Sequence, residues 1–147
     1  MRIAVLNGPN LNLLGVREPE IYGRETLADI ERAVRSRAEQ SKVEIEWRQT
    51  NDEGEFVELV QGLRGRADGA LVNAAAFTHT SLAIRDAFLA VRVPFVEVHL
   101  SNIFAREPER RRSLLADLAV GIVAGFGPLS YLLALDALLD HLNRRGS

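Results

Sequence analysis

Leu6–Gly23 reads LNGPNLNLLGVREPEIYG and grows out of an apolar run, Ile3–Leu6, that has the composition of a buried strand. Glycine, asparagine and proline at this density make a loop, and the loop also carries Arg17 and Tyr22. In α/β proteins, loops leaving the carboxyl ends of strands are where ligands usually sit. The stretch therefore predicts a first strand, a chemically rich loop at its carboxyl end, and then a crossover.

The same alternation continues along the chain. β-rich runs are predicted at Ile3–Asn7, Val43–Arg48, Gly69–Asn73, Pro94–His99 and Val120–Ala124, with helical patterns between them. Thr26 starts the first helix with Asp29 as a capping signal, and Leu27, Ile30, Val34 and Ala38 form one apolar stripe. A second helix is expected from about Glu55 to Arg64, ending near Gly65, and a third from about Thr80 to Val91. The third carries Leu82, Ile84, Ala87, Phe88 and Val91. The last helix, Pro128–Asn143, has leucines at 129, 132, 133, 135, 138, 139 and 142, a face wide enough for either complete burial or a subunit interface. The pattern predicts an α/β fold: a flavodoxin-like three-layer sandwich whose five-stranded parallel sheet has the order 2-1-3-4-5, in a single domain over residues 1–147. Its site would lie at the carboxyl ends of strands 1, 3 and 4.

Composition narrows the functional classes. The chain has 147 residues, 47% of them hydrophobic, and a net charge of -2, which fits one globular domain and disfavours nucleic acid or an anionic membrane as the main partner. There is no cysteine, which removes disulfides, thiolate catalysis and Cys-based metal sites. No apolar run approaches the roughly 20 residues of a membrane span, and the first residues read as a strand rather than a leader, so a cytoplasmic location is expected. Lys42 is the single lysine, placed where strand 2 begins and far from the expected rim.

GPNLNLLG matches neither a P-loop nor a dinucleotide-binding turn nor a flavin phosphate loop. Asn73, in place of an aspartate at the end of strand 3, disfavours a phosphoacceptor domain. A metal held by His79 and His99 would need a third ligand such as Glu97, but strand alternation places Glu97 on the face of His99, where it equally well orients the imidazole. Proton transfer fits the set better, since Tyr22, His79 and His99 are titratable groups of different strength on one rim. A phenol of pKa about 10 becomes a base at neutral pH only with about 4 kcal/mol of preference for its anion. A guanidinium roughly 4 Å away supplies about that at an effective dielectric of ~20, so Arg17 suits the purpose. Both residues also fit an ordinary surface loop. His99 suits a general acid, although a lone strand-end histidine is more often structural. Ser101 and Asn102 suit either a carboxylate site or a cap for the next turn. Arg106–Arg112, REPERRR, reads as a solvated face from which one arginine can turn inward.

These residues resemble the type II 3-dehydroquinate dehydratases. The likeness covers nearly the whole chain through LNGPNLNLLGVREPEIYG, QTNDEGE, NAAAFTHTSLAIRD, EVHLSNIFARE and GFGPLSYLLAL. It implies a cofactor-free, metal-free hydro-lyase that converts 3-dehydroquinate to 3-dehydroshikimate by anti elimination through an enolate, in the shikimate or the catabolic quinate pathway. By the same resemblance Tyr22 is the base and Arg17 lowers its pKa, His99 protonates the departing hydroxyl with Glu97 in support, and Asn10 positions an enolate-stabilising water. Asn73, His79 and Arg110 would bind substrate hydroxyls, and Leu100 and Ser101 the carboxylate. Asp86 would reach a neighbouring subunit's site in a homododecamer built from trimers, and residues of about 15–25 would form a lid. An imine mechanism is disfavoured by the position of Lys42. Two departures from the family pattern stand beside the site: Glu109 precedes Arg110 where a Phe is common, which predicts an acid competing for the guanidinium, and Arg112 replaces a frequent His.

Overall fold

The computed structural model describes residues 1–16, Glu20 and residues 24–145. Arg17, Tyr22 and most of the expected lid lie outside the described residues.

The elements in chain order are β1 (Arg2–Asn7), α1 (Leu27–Gln40), β2 (Glu44–Gln49), α2 (Glu53–Gln61), β3 (Gly69–Asn73), α3 (Phe77–Thr80), α4 (Leu82–Val91), β4 (Phe95–His99), β5 (Gly121–Ala124) and α5 (Leu129–Arg145). Among the described residues, 3-10 turns lie at Leu11–Leu13, Ile103–Ala105 and Pro108–Arg110. The sheet has the order β2-β1-β3-β4-β5 with every neighbouring pair parallel. This is the expected flavodoxin-like arrangement, with the strand order reversing direction between β1 and β3.

Strand alternation sorts the core into two layers. Ile3, Val5, Leu71, Val96 and Val98 face α1 and α5, meeting Ile30, Val34, Ala38, Leu135 and Leu138. Ala4, Leu6, Ala70, Val72 and Phe95 face the other way, onto Phe56 and Val60 of α2 and Ile84, Ala87 and Phe88 of α4. A sheet buried on both faces explains why its central strands read as continuous apolar runs.

Helix boundaries follow their caps. Thr26 and Asp29 form a reciprocal capping box at the start of α1, as expected. The other expected ends shift. In α2 the Asp52 side chain accepts from the Glu55 amide, so the helix begins at Glu53 and stops at Gln61, before Gly62. In α4 Ser81 caps the Ile84 amide, so the helix begins at Leu82 and Thr80 belongs to the preceding turn α3. Leu82 then points outward, 63% exposed, and is no part of the core. Of the α5 leucines, 135, 138 and 139 are buried, while Leu129 and Leu133 remain exposed. Lys42 sits at a left-handed turn, φ 56°, two residues before β2.

Candidate active site

A cleft of about 120 Å³ opens at the carboxyl ends of β1, β3 and β4. Its polar lining comes from Asn10, Asn73, His79, His99, Arg106 and Arg110, with Leu100 and Ser101 following β4. This is the switch point of the sheet, where the loops after β1 and β3 diverge and leave a crevice.

The two faces of the sheet each supply one support to the cleft. On the α2/α4 side, Glu97 and His99 share a strand face, and His99 Nε2 lies 2.5 Å from Glu97 Oε2. Both are buried, with Glu97 wholly so. A carboxylate accepts, so Nε2 carries the hydrogen and Nδ1 is the ring nitrogen left for the cleft. The second carboxylate oxygen, Oε1, accepts from the Ser113 hydroxyl at 2.8 Å.

On the α1/α5 side, Tyr131 is fully buried beneath the strand ends. Its hydroxyl donates to Asn7 Oδ1 at 2.7 Å and accepts from Asn73 Nδ2 at 3.0 Å. Asn7 Nδ2 donates in turn to the Arg48 carbonyl at 3.0 Å, and Asn73 Oδ1 accepts from the Ala75 amide at 3.2 Å. Burial pushes the Tyr131 phenol well above its usual range, so it stays protonated and keeps its donor. Asn73 is thereby fixed in orientation where it meets the cleft.

His79 belongs to α3, and its Nδ1 lies 2.7 Å from the Arg112 carbonyl. That carbonyl can only accept, so Nδ1 holds the hydrogen and Nε2 of the neutral ring is an acceptor. Burial lowers the His79 pKa; the Arg112 bond opposes this, and His99 and Arg110 add to the lowering. The ring is neutral at neutral pH.

The loop after β1 closes the opposite wall. Gly8 is forced by space: a Cβ there would lie 2.3 Å from the Ala74 carbonyl oxygen, while the Gly8 amide donates to the Asn73 carbonyl at 2.8 Å. The β1 and β3 loops are thus in backbone contact. Asn10 adopts a left-handed conformation, φ 69°, which asparagine tolerates better than most residues. Its amide donates to Asn51 Oδ1 at 2.9 Å, and Gln49 Nε2 donates to the Gly8 carbonyl at 3.1 Å. At Gly15, φ 90°, a Cβ would lie 2.9 Å from the Arg24 carbonyl oxygen, so the chain leaves at Gly15 and returns beside it at Arg24.

Two arginines of REPERRR line the cleft, Arg106 and Arg110. The Arg110 Nε lies 2.7 Å from Glu107 Oε1. The acid that competes for this guanidinium is therefore Glu107, one helical turn before it, and not the adjacent Glu109. Asn102 caps its own turn, accepting from the Phe104 amide at 3.1 Å, and lies outside the cleft lining.

The arrangement combines a carboxylate–imidazole pair, a neutral histidine acceptor, an anchored amide and two cations around one small cavity. Among the described residues no group of three His, Cys, Asp or Glu side chains could hold a metal ion. The profile of the family described as dehydroquinase class II matches residues 1–139. A Synechococcus protein named 3-dehydroquinate dehydratase is 57% identical over 142 residues, covering 97% of each chain. A Prochlorococcus marinus protein of the same name is 53% identical over 147 residues, covering 100% of this chain and 99% of that one. The crystal structure of the type II dehydroquinase from Butyrivibrio crossotus superposes with a TM-score of 0.91 at 38% identity, covering 94% of this chain and 97% of that one. This chain belongs to the class II dehydroquinase family.

In this class II dehydroquinase the cleft brings together Asn10, Asn73, His79, His99, Leu100, Ser101 and Arg110 from the residues singled out in the sequence. Glu97 lies behind His99 instead of lining the cleft. Asp86 is exposed on α4 and lies outside the lining. Substitution at position 112 leaves the His79 contact intact, because the dehydroquinase uses the main-chain carbonyl there. Sequence reasoning missed Ser113, Tyr131, Gln49 and Asn51. Polar residues at the end of β2 were a usable signal for the last two; the first two act across the fold and leave no local mark.

Proposed function

We infer that the chain is a type II 3-dehydroquinate dehydratase, a hydro-lyase that removes water from 3-dehydroquinate to give 3-dehydroshikimate, in the shikimate or the catabolic quinate pathway. The observation that carries this reading is the buried Glu97–His99 pair at the floor of a cleft whose lining matches the family's motif positions. Tyr22, with Arg17 favouring its anion, removes the proton α to the ketone. The resulting enolate is held through a water placed by Asn10. His99, protonated on both ring nitrogens at that step, passes the proton of its cleft-facing Nδ1 to the departing hydroxyl, which leaves as water, and keeps the Nε2 hydrogen against Glu97. Asn73, His79 and Arg110 hold the substrate hydroxyls, and the segment Leu100–Ser101 the carboxylate. Residues of about 15–25 close over the cleft as a lid on a single domain.

Each acid–base partner contributes about 10²–10⁴-fold in such a reaction. The direct test is growth of enone absorbance on adding 3-dehydroquinate to wild type and to Tyr22→Phe. Folded wild type without activity overturns the enzyme reading, and equal rates in the two overturn the role of Tyr22. Borohydride added with substrate should leave the enzyme active; a stable adduct on Lys42 would contradict the imine-free route.

The same reading includes a cytoplasmic homododecamer of trimers, in which Asp86 completes a neighbour's site. It is supported by the exposed apolar residues Ile122, Phe126, Leu129 and Leu133 along β5 and the start of α5. Light scattering that gives a monomer at working concentration would remove it.

A further inference from the structure

Ser113 lies sixteen residues from Glu97 and outside every motif quoted above, yet its hydroxyl meets the carboxylate that backs His99. Its hydrogen-bonding capacity is fully used. Ser113 Oγ accepts from the Leu115 amide at 3.1 Å and from the Ala116 amide at 3.0 Å. With both acceptor positions filled, the one hydroxyl hydrogen is directed at Glu97 Oε1.

The segment that carries Ser113 is itself anchored on both sides. The Arg112 carbonyl receives His79, the Leu114 amide donates to the Thr78 carbonyl at 2.9 Å, and the Leu114 carbonyl receives Arg85 Nη1 at 2.8 Å. Leu115 is fully buried. The hydroxyl cannot swing away without breaking these contacts.

We propose that Ser113 is a positioning residue for the dehydration, directing its only proton to Glu97 so that the other carboxylate oxygen faces His99 as a pure acceptor, holds the Nε2 hydrogen, and supports the imidazolium whose cleft-facing Nδ1–H goes to the leaving hydroxyl. A carboxylate whose Oε1 already accepts presents Oε2 to the ring in one rotamer. If Glu97 instead carried a proton towards His99, Nε2 would be bare and the neutral carboxyl would no longer offset the charge of the imidazolium. Ser113 thereby links the loop after β4 to the acid through a buried carboxylate and touches no substrate.

The proposal rests on the acid role given to His99, and the experiments separate the two. Ring ¹⁵N NMR of wild type at about pH 8 should show a hydrogen on His99 Nε2. A ring bare at Nε2 overturns the proposal without any variant. In Ser113→Ala, kcat should fall about tenfold, the size typical of losing an outer-shell partner, with KM changed by less than about twofold and the His99 signals shifted towards mixed tautomers. Ser113→Thr, which keeps the hydroxyl, should restore both kcat and the wild-type tautomer. A Ser113→Ala protein that loses only thermal stability, with wild-type kcat and tautomer, reduces Ser113 to a turn cap and overturns the proposal. His99→Ala at full rate would instead remove the acid role of His99, while the NMR result decides the geometry of Ser113.

Discussion

His99 sits at the floor of the cleft, buried, with one ring nitrogen against a carboxylate whose other oxygen is also engaged. Asn10, across the same cavity, is exposed and is held through its main chain: its amide meets Asn51 and its carbonyl receives the Leu13 amide at 2.9 Å. Leu13 and Val16, farther along that loop, are also exposed. The strand-end wall thus comes ready-made from the folding of the sheet, while the loop wall offers a side-chain amide with no buried support. Groups whose tautomer or rotamer must be fixed are built into the sheet. Asn10 instead stands on a surface turn.

The difference can be broken by comparing rate with stability on the two walls. His99→Ala should lower kcat by about 10²–10⁴-fold and also lower the melting temperature, because Glu97 is left buried with one oxygen unpaired. Asn10→Gly keeps the left-handed backbone and deletes the amide, so kcat should fall while the melting temperature holds. Calorimetry beside the enone assay reads both, and a large melting shift in Asn10→Gly would show that the loop wall is structural too.

Gly8→Ala attacks the seam between the walls. Overpacking of this kind costs about 1–3 kcal/mol, and here the obstacle is the backbone of Ala74, which cannot turn aside as a side chain can. The melting temperature should fall and KM should rise as Asn73 and Asn10 move apart. An unchanged melting temperature would mean that the two loops separate freely. Tyr131→Phe is milder in shape and acts on the strand-end wall alone, leaving Asn7 Oδ1 and Asn73 Nδ2 without their shared partner. The expected cost is about 1–3 kcal/mol in urea unfolding, with weaker substrate binding through Asn73. Unchanged stability would indicate that water replaces the hydroxyl.

The two walls were also unequally legible in the sequence. The strands were placed to within a residue at either end, because a sheet covered on both faces writes itself as apolar runs between turn residues. Asn73, His79 and His99 were legible as residues of the cleft because crevices in this architecture open at carboxyl strand ends. Helix ends were less so: Asp52 and Ser81 each took a capping role that shifted α2 and α4, and the shift in α4 turned Leu82 to solvent. Tyr131 and Ser113 were invisible for a different reason. Their partners lie 58 and 16 positions away, and no periodicity or spacing links a buried phenol in the last helix to an asparagine at the end of β3.

The smallest effect concerns His79, whose neutral ring is the acceptor of the strand-end wall. Its folded pKa lies below the ordinary 6.5, mainly through burial. Between the two values the unfolded chain binds more protons at this residue than the folded one, so its contribution to stability grows with rising pH. That contribution is complete above the unfolded value and is lost as pH falls through the folded one. Protonation also turns Nε2 from acceptor to donor and places a cation in the same cleft as Arg110, so KM should rise over the same acid range. Urea midpoints for wild type and His79→Gln, followed from neutral to acid pH, should diverge, with wild type losing the extra increment that glutamine cannot lose. Parallel curves would mean that folding leaves the ring unshifted, and divergence of the opposite sign would mean that His79 is charged in the folded protein and donates to the substrate instead of accepting from it.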